Sequence, residues 1–193
     1  MILKTILFGR IIDGFAKKKI MHPYSGASSG SLEYSRNILI SAFANVKNIQ
    51  AFRSHLITAA AKINTYLEKN KNKILKIVSD ETGSPISYHD EDMEGSRLFL
   101  KKLRAIEKVL PKKYLFEPKG NVLLILSANE PISTGTVLIF SALFMGNTVF
   151  VKPSSKTPSY DFFLIKELAK ISILKKRIHY LLINREETER LIK

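Results

Sequence analysis

Val122-Leu123-Leu124-Ile125-Leu126 and Thr148-Val149-Phe150-Val151 are two largely apolar runs separated by a segment of helical length. Runs that do not alternate with polar residues are typical of strands buried on both faces, as in a parallel sheet. The segment between them, residues 132–145, follows a proline and precedes Gly146, which predicts a crossover helix that ends at this glycine. The stretch therefore predicts a β-α-β unit.

Ligands of parallel sheets bind beyond the carboxyl ends of the strands. In this unit those ends are Ser127-Ala128-Asn129 and Lys152-Pro153-Ser154-Ser155. Farther along the chain, residues 159–170 predict a helix, 178–183 a third strand and 184–193 a short final helix. Three parallel strands would leave an edge and a face of the sheet for other sequence, or another chain, to cover.

The upstream sequence predicts short strands and turns, followed by a helical layer. Apolar residues recur at helical spacing over residues 49–78, with a break at 70–72 and a second helix that ends at Gly83. A third helix is expected after Asp90-Glu91-Asp92, whose acids suit a positive helix N-terminus, and Pro111 is expected to end it.

Four motifs resemble one known family. Ser-Ala-Asn-Glu-Pro at 127–131, and Gly-Asn-Thr-Val-Phe-Val-Lys-Pro-Ser-Ser-Lys-Thr-Pro at 146–158, are similar to the aldehyde dehydrogenase superfamily pattern Pro-Trp-Asn-x-Pro, then Gly-Asn-x-Val-x-x-Lys-Pro-Ser-Glu-x-Thr-Pro. His22-Pro23-Tyr24-Ser25-Gly26 resembles its Asn-Pro-Tyr-Thr-Gly turn, and Glu81-Thr82-Gly83-Ser84-Pro85 its Glu-Thr-Gly-Lys-Pro helix end. The Ser-Ala-Asn triplet also suggests an acyl-CoA-reductase-like branch.

The resemblance implies an α/β fold made of N-terminal helices and an incomplete Rossmann-like parallel sheet. Residues 1–118 would form N-terminal strands and a helical layer, and 119–193 the first half of the NAD(P)-binding sheet. The family reaction is NAD(P)-dependent oxidation of an aldehyde through a thiohemiacetal on cysteine, with acyl release to water or coenzyme A. The nucleophilic cysteine, the general-base glutamate and the second glycine motif would lie beyond Lys193, so the catalytic domain is expected to be absent.

Individual site residues follow from the same resemblance. Asn129 matches the family asparagine whose amide stabilises the oxyanion, and Lys152 matches the lysine that reads the adenosine ribose. The predicted cofactor-binding residues are Leu126, Ser127, Lys152, Pro153, Ser154 and Ser155, and no metal site is predicted.

Three positions depart from the family pattern. Ala128 replaces a tryptophan and Ser155 a glutamate, while Asn184-Arg185-Glu186 stands where a Gly-x-Gly turn is expected. The last change predicts weak NAD or NADP binding. Ser155, which can donate a hydrogen bond where a carboxylate would repel, is expected to tolerate a 2′-phosphate beside Lys152.

Composition limits the function classes. The net charge is +14, but the lysines fall on segments with helical periodicity and are not interleaved with aromatic residues, so we favour solvated helix faces over a nucleic-acid interface. No apolar run is long enough for a membrane helix and no signal peptide is evident, which predicts a cytoplasmic protein without membrane partners. The chain has no cysteine, and this excludes a thiol nucleophile within it.

One short motif suggests a different chemistry. Gly26-Ala27-Ser28-Ser29-Gly30 fits the Gly-x-Ser-x-Gly nucleophile elbow, which requires a buried strand before it and a helix after it. Residues 19–24 are too polar and broken for such a strand, so we interpret 25–31 as a loop.

Three hypotheses remain open. The first is the N-terminal part of an aldehyde dehydrogenase-like oxidoreductase that acts on an aldehyde or acyl substrate and is inactive by itself. The second is a non-catalytic remnant, or one half of a split enzyme, that binds a complementing chain or a second copy of itself. The third, which we rank last, is a basic nucleic-acid-binding module, and it predicts salt-sensitive retention of oligonucleotides.

Overall fold

The computed structural model describes residues 1–36, 49–110 and 117–192 and has an α/β architecture. The strands are β1 (Ile2–Leu3), β2 (Thr5–Leu7), β3 (Arg10–Ile12), β4 (Ala16–Met21), β5 (Ser28–Tyr34), β6 (Asn121–Ile125), β7 (Thr148–Lys152) and β8 (Ile178–Tyr180). The helices are α1 (Ile49–Lys69), α2 (Lys71–Thr82), α3 (Ile86–Val109), α4 (Pro131–Phe144), α5 (Ser159–Leu168) and α6 (Arg185–Ile192).

The main sheet has the strand order β3-β2-β8-β7-β6. Strands β6, β7 and β8 are parallel, and α4 connects the first two, so the predicted β-α-β unit is confirmed. The edge that the three parallel strands were expected to leave for other sequence is covered by strands of this same chain. Strand β2 pairs antiparallel with β8 at Ile6 and Tyr180, and β3 pairs antiparallel with β2. The N-terminal strands therefore cover one edge of the parallel unit, while β6 forms the opposite edge.

A second sheet of order β1-β5-β4 forms a ribbon at the N-terminus. Its hairpin turn contains Gly26, and Ser28 already begins β5. The Gly-x-Ser-x-Gly motif thus leads into a strand instead of a helix, so it is not a nucleophile elbow. The expected loop over 25–31 was too long, because residues 28–31 belong to β5 and pair with residues 19–21 of β4.

The helical layer follows the predicted periodicity. On α1, the side chains at helical spacing are buried: Phe52, Leu56, Ala60, Ile63 and Leu67. Helix α2 ends at Gly83, whose φ of 76° is left-handed. A side chain at Gly83 would clash with Pro23 and Tyr24, so a glycine there lets the turn at residues 22–26 pack against the end of α2.

Helix α3 begins at Ile86, upstream of its predicted start after residues 90–92, and Pro85 is its N-cap. The acidic residues at 90–92 consequently lie in its second turn. Asp92 serves a different helix, since its Oδ2 accepts a hydrogen bond from the backbone N–H of Ser133 in the first turn of α4. Pro111, which was expected to end α3, lies outside the described residues.

The core lies between the sheet and two layers of helices. Helices α4 and α5 pack on β7 and β8, and α1, α2 and α3 pack on α4 and α5. The opposite sheet face carries a smaller apolar cluster of Phe150, Leu181 and Ile183, against which Leu191 of α6 packs. No helix in the described ranges is long and apolar enough to span a membrane.

Candidate functional site

Two clefts open at the carboxyl edge of the parallel strands, each with a volume of about 580 Å³. The first, which we call the Asn129 cleft, lies between the end of α2, the start of α3 and the turns that follow β6 and β7. Its walls are formed by Pro23, Glu81, Thr82, Ser84, Pro85, Tyr88, Ala128, Asn129, Lys156 and Thr157. The Asn129 side chain is exposed, just before α4.

A buried carboxyl group lies in the wall of this cleft. Glu81 Oε2 accepts a hydrogen bond of 3.2 Å from the backbone N–H of Ser159, and Oε1 accepts one from the Ser159 hydroxyl. Ser159 is the first residue of α5, so the last turn of α2 caps the N-terminus of α5. Burial raises the pKa of Glu81 to about 7, although both hydrogen bonds from Ser159 oppose the shift.

Asp161 lies behind Glu81, one turn into α5. Burial, reinforced by the charge of Glu81, holds the pKa of Asp161 well above its usual range. Within the part of the chain that the structure describes, Asp161 Oδ1 and the hydroxyl of Thr157 are buried without a hydrogen-bond partner. The cleft therefore has a buried acidic region behind its wall. Sequence reasoning assigned Glu81 no site role, although it begins one of the four family-like motifs.

A hydroxyl–imidazole pair also adjoins this cleft. Thr82 Oγ1 lies 2.7 Å from His89 Nε2, which is the spacing of a nucleophile and its base. The same hydroxyl donates to the Val78 carbonyl at 2.8 Å and accepts from the Ser84 N–H at 3.1 Å. Because these contacts fix the hydroxyl at the end of α2, we interpret the pair as structural.

The second cleft, the Lys152 cleft, lies beyond the ends of β6, β7 and β8. Its walls are formed by Lys18, Tyr34, Ile125, Lys152, Ser155, Ile183, Asn184, Arg185, Thr188 and Glu189. Ile125 is 52% exposed and supplies an apolar surface beside the polar groups. This combination of an apolar wall and a few convergent polar groups is typical of a small-molecule site.

Lys152 is a half-buried cation of this cleft. Its Nζ donates to the carbonyl of Pro153 at 3.2 Å. Burial, and then the positive charge of Lys18, lower the pKa of Lys152. On the opposite wall, Tyr34 is hydrogen-bonded to Ser155, and its pKa is raised by burial despite this bond.

The N-terminal ribbon supplies Lys18 and Tyr34 to the Lys152 cleft because it is hydrogen-bonded to the main sheet. The backbone N–H of Ser35 donates to the Leu182 carbonyl at 2.7 Å, and its hydroxyl donates to Thr5 Oγ1 at 2.9 Å. Thr5 Oγ1 also accepts from the Leu182 N–H at 3.1 Å. These contacts fix β4 and β5 beside the end of β8, an arrangement that local sequence patterns did not reveal.

The structure separates the predicted site residues. Lys152 and Ser155 line one cleft, whereas Asn129 lines the other. Leu126 is buried, and its N–H donates to the Lys152 carbonyl at 3.0 Å, so Ile125 reaches the cleft in its place. Pro153 is buried, Ser127 is exposed, and Ser154 Oγ accepts from the Lys156 N–H at 3.2 Å. These three positions shape the strand ends without lining either cleft among the described residues.

Metal ligands do not cluster in the described ranges. No group of three or more histidine, aspartate or glutamate side chains there is placed to hold a metal ion.

Comparison with known proteins gives the chain its context. The model of the aldehyde dehydrogenase family matches residues 41–192. D-glyceraldehyde dehydrogenase (NADP(+)) of Thermoplasma acidophilum is 25% identical over 141 residues, which is 67% of this chain and 28% of the relative. 3,6-Anhydro-alpha-L-galactose dehydrogenase of Streptomyces coelicolor is 32% identical over 119 residues, which is 55% of this chain and 24% of that protein.

Solved structures share the fold. 1-Pyrroline-5-carboxylate dehydrogenase from Thermus, with bound NAD, superimposes with a TM-score of 0.77 at 16% identity, covering 98% of this chain and 41% of the Thermus chain. The chain thus spans about a quarter of the length of these curated relatives and less than half of this solved structure. Their names are those of dehydrogenases, so an acyl-CoA-reductase-like branch is not supported.

Proposed function

The chain belongs to the aldehyde dehydrogenase family, and from that premise we propose that it is the dinucleotide-binding part of an NAD(P)-dependent, aldehyde-oxidising enzyme of the cytoplasm. The observation that carries this proposal is the Lys152 cleft, which lies beyond the carboxyl ends of β6, β7 and β8. Dinucleotides bind at this edge of open α/β sheets.

The residues of the cleft suit an adenosine moiety. Ile125 offers an apolar surface for a base, and the half-buried Lys152 offers a cation for ribose hydroxyls. Ser155 lines the same cleft as Lys152, and its hydroxyl is near that of Tyr34. When bound, the nicotinamide cofactor would supply the hydride acceptor for aldehyde oxidation.

Asn129 has the proposed catalytic role. Its amide is exposed at the end of β6, in a cleft separate from Lys152, as expected for a group that faces the substrate instead of the adenosine. An amide donor held before the reaction can stabilise a developing oxyanion, and removing one such donor typically lowers turnover by about a hundredfold to a thousandfold. In an assembly that contains the nucleophilic cysteine, Asn129→Ala should cause this loss; unchanged turnover would make Asn129 a turn residue only.

We propose further that this chain does not oxidise aldehydes by itself. It contains no cysteine, and hydroxyl groups are poor substitutes unless a base activates them. The Thr82–His89 pair does not meet that need, because the hydroxyl is already bonded to backbone groups.

The test compares the purified 193-residue chain with a product of the same reading frame that extends beyond Lys193. Each is mixed with a panel of aldehydes and NAD or NADP, and reduced cofactor is followed by absorbance. Activity in the longer product alone is expected. Turnover by the 193-residue chain would refute its proposed inactivity. Absence of activity in both products would favour a non-catalytic, partner-binding protein. For that alternative the supporting observation is the apolar edge strand β6.

A further inference from the structure

Lys18 is a second cation in the Lys152 cleft, and it comes from a distant part of the chain. It lies on β4, within the run Lys17-Lys18-Lys19, and pairs in register with Leu32 of β5. Because strand side chains alternate between faces, Lys18 shares a face with the buried Ile20, whereas Lys19 points to the other face. The ribbon thus places Lys18, which is exposed, in the same cleft as Lys152 and close enough for its charge to act on that residue.

No acidic side chain neutralises these two lysines. Among the described residues that line the cleft, Glu189 carries the only carboxylate, and its Oε1 is bonded to Arg185 Nε at 2.8 Å. Glu33 of β5 and Asp13, which follows β3, pair with Lys4. Within the described ranges, neither Lys18 nor Lys152 has a carboxylate within ion-pair distance.

The positive charges of Lys18 and Lys152 repel each other, and this repulsion affects the pKa of Lys152. The charge of Lys18 acts on Lys152 in the same direction as burial, since both lower its pKa. Two like charges without a carboxylate partner among the described residues repel each other, and an anion bound between the two ammonium groups would offset that repulsion. A phosphomonoester carries nearly two negative charges at pH 7 and three acceptor oxygens, so it matches two lysines and the Ser155 hydroxyl.

We propose that Lys18, Lys152 and Ser155 together hold a phosphate on the adenosine ribose, so that the chain selects NADP over NAD and Lys18 determines this specificity. The proposal rests on the proposed function, since it assumes that the cleft binds a dinucleotide. It adds a residue of the N-terminal ribbon, which lies outside the matched residues 41–192, to the recognition of the cofactor.

The experiment uses cofactor fragments and direct binding, so it does not depend on activity. The isotopically labelled 193-residue chain is titrated with 2′,5′-ADP, 5′-AMP and inorganic phosphate at constant ionic strength, and binding is followed by chemical-shift changes. One charge-assisted phosphate contact corresponds to about a tenfold change in affinity. We therefore expect 2′,5′-ADP to bind about tenfold or more tightly than 5′-AMP.

Matched variants assign the effect to Lys18. Lys18→Ala should reduce the preference to about twofold or less while leaving 5′-AMP binding unchanged, and Lys18→Gln, which keeps more of the side chain, should do the same. Lys19→Ala removes an equal charge from the other face of β4 and should keep the full preference. A fall in the preference with Lys19→Ala equal to that with Lys18→Ala would show a general charge effect and overturn the assignment.

The remaining outcomes separate the two proposals. Equal affinity for the two nucleotides would refute the phosphate site while leaving the dinucleotide cleft in place. Binding of inorganic phosphate as tight as that of 2′,5′-ADP would show an anion site without nucleoside recognition, which also overturns the inference. Binding of none of the three ligands would refute the cleft as a cofactor site and the proposed function with it.

Discussion

The two clefts at the carboxyl edge of the sheet have the same volume but opposite electrostatic character. Behind the Asn129 cleft lie the buried carboxyl groups of Glu81 and Asp161, and Glu81 is hydrogen-bonded to the start of α5. The Lys152 cleft contains two lysines that have no carboxylate partner in the described ranges.

The difference separates groups that support the fold from groups that suit a ligand. Glu81 has partners within the fold, so its hydrogen bonds to Ser159 contribute to holding α2 against α5. Lys18 and Lys152 repel each other, and an anion bound between them would relieve that repulsion. Substitutions in the first cleft should therefore change stability, and those in the second should change binding.

The largest effect should come from removing the Glu81 carboxyl group. Glu81→Ala leaves the N–H and the hydroxyl of Ser159 unbonded and opens a cavity, so we expect the free energy of unfolding to fall by about 3 kcal/mol or more. Urea unfolding measures it. Asp80→Ala, on the same turn of α2, is the control and should cost less than about 0.5 kcal/mol. An equal loss from both variants would contradict the structural role of Glu81.

The second effect is a pH dependence of stability. The pKa of Glu81 rises from 4.5 to about 7 on folding, so its contribution is complete below pH 4.5 and is lost as the pH rises through 7. Between pH 5 and 7 this group alone should lower the free energy of unfolding by about 2 kcal/mol. Asp161 acts in the same direction, whereas His179, whose pKa burial lowers to about 4, acts in the opposite one.

Glu81→Gln isolates the contribution of Glu81. The free energies of unfolding of the wild-type chain and this variant are measured by urea unfolding at several pH values. The difference between them should change by about 2 kcal/mol between pH 5 and 7. Parallel profiles would show that Glu81 does not titrate in this range.

A smaller effect, of opposite sign, is expected in the Lys152 cleft. Lys152→Met removes a half-buried charge that Lys18 repels, so the empty chain should become more stable, by less than about 1 kcal/mol after solvent screening. Thermal unfolding would detect the rise, and binding of 2′,5′-ADP should weaken in the same variant. Lys156→Met, on an exposed residue of the Asn129 cleft, serves as the control. Destabilisation by Lys152→Met would mean that the hydrogen bond from its ammonium group to the Pro153 carbonyl outweighs the repulsion by Lys18.

The smallest effect on stability should come from Asn129→Ala. Its side chain is exposed, so the free energy of unfolding should change by less than about 0.5 kcal/mol. The unfolding midpoint measures this. A loss above about 1 kcal/mol would assign Asn129 to the support of the turn before α4 and weaken its proposed catalytic role.

Short-range sequence patterns, such as apolar runs, helical spacing and glycine positions, predicted individual helices and strands. The apolar runs around Leu123 and Val149 correctly indicated strands, and the spacing from Phe52 to Leu67 indicated the buried face of α1. Burial on both faces holds for β7 but was wrong for β6, which is a partly exposed edge strand. Gly83 marked the end of α2 because a left-handed residue is needed there. The start of α3 was misplaced, since the acids at 90–92 resemble a helix start but Asp92 caps α4 instead.

Features that depend on distant pairing were not predictable in this way. The pairing of Ile6 with Tyr180 brings together opposite ends of the chain, and no local pattern encodes it. The same pairing carries the N-terminal ribbon to the end of β8 and so places Lys18 and Tyr34 in the cleft with Lys152. The sequence predicted Lys152 and Ser155 from a single motif. It did not predict Lys18, because the lysine-rich segment that contains it is typical of a solvent-exposed strand.

The contact between β2 and β8 also fixes an order of events during synthesis. Ile6, which is 2% exposed in the folded chain, leaves the ribosome long before its partner Tyr180 has been translated. At about 5 to 20 residues per second, the first strand waits roughly 10 to 35 s for its place in the sheet. During that interval its apolar side chains are accessible to chaperones. Strand β2 can pair with β3 at once, but it joins the parallel strands only after the last strand of the main sheet has emerged.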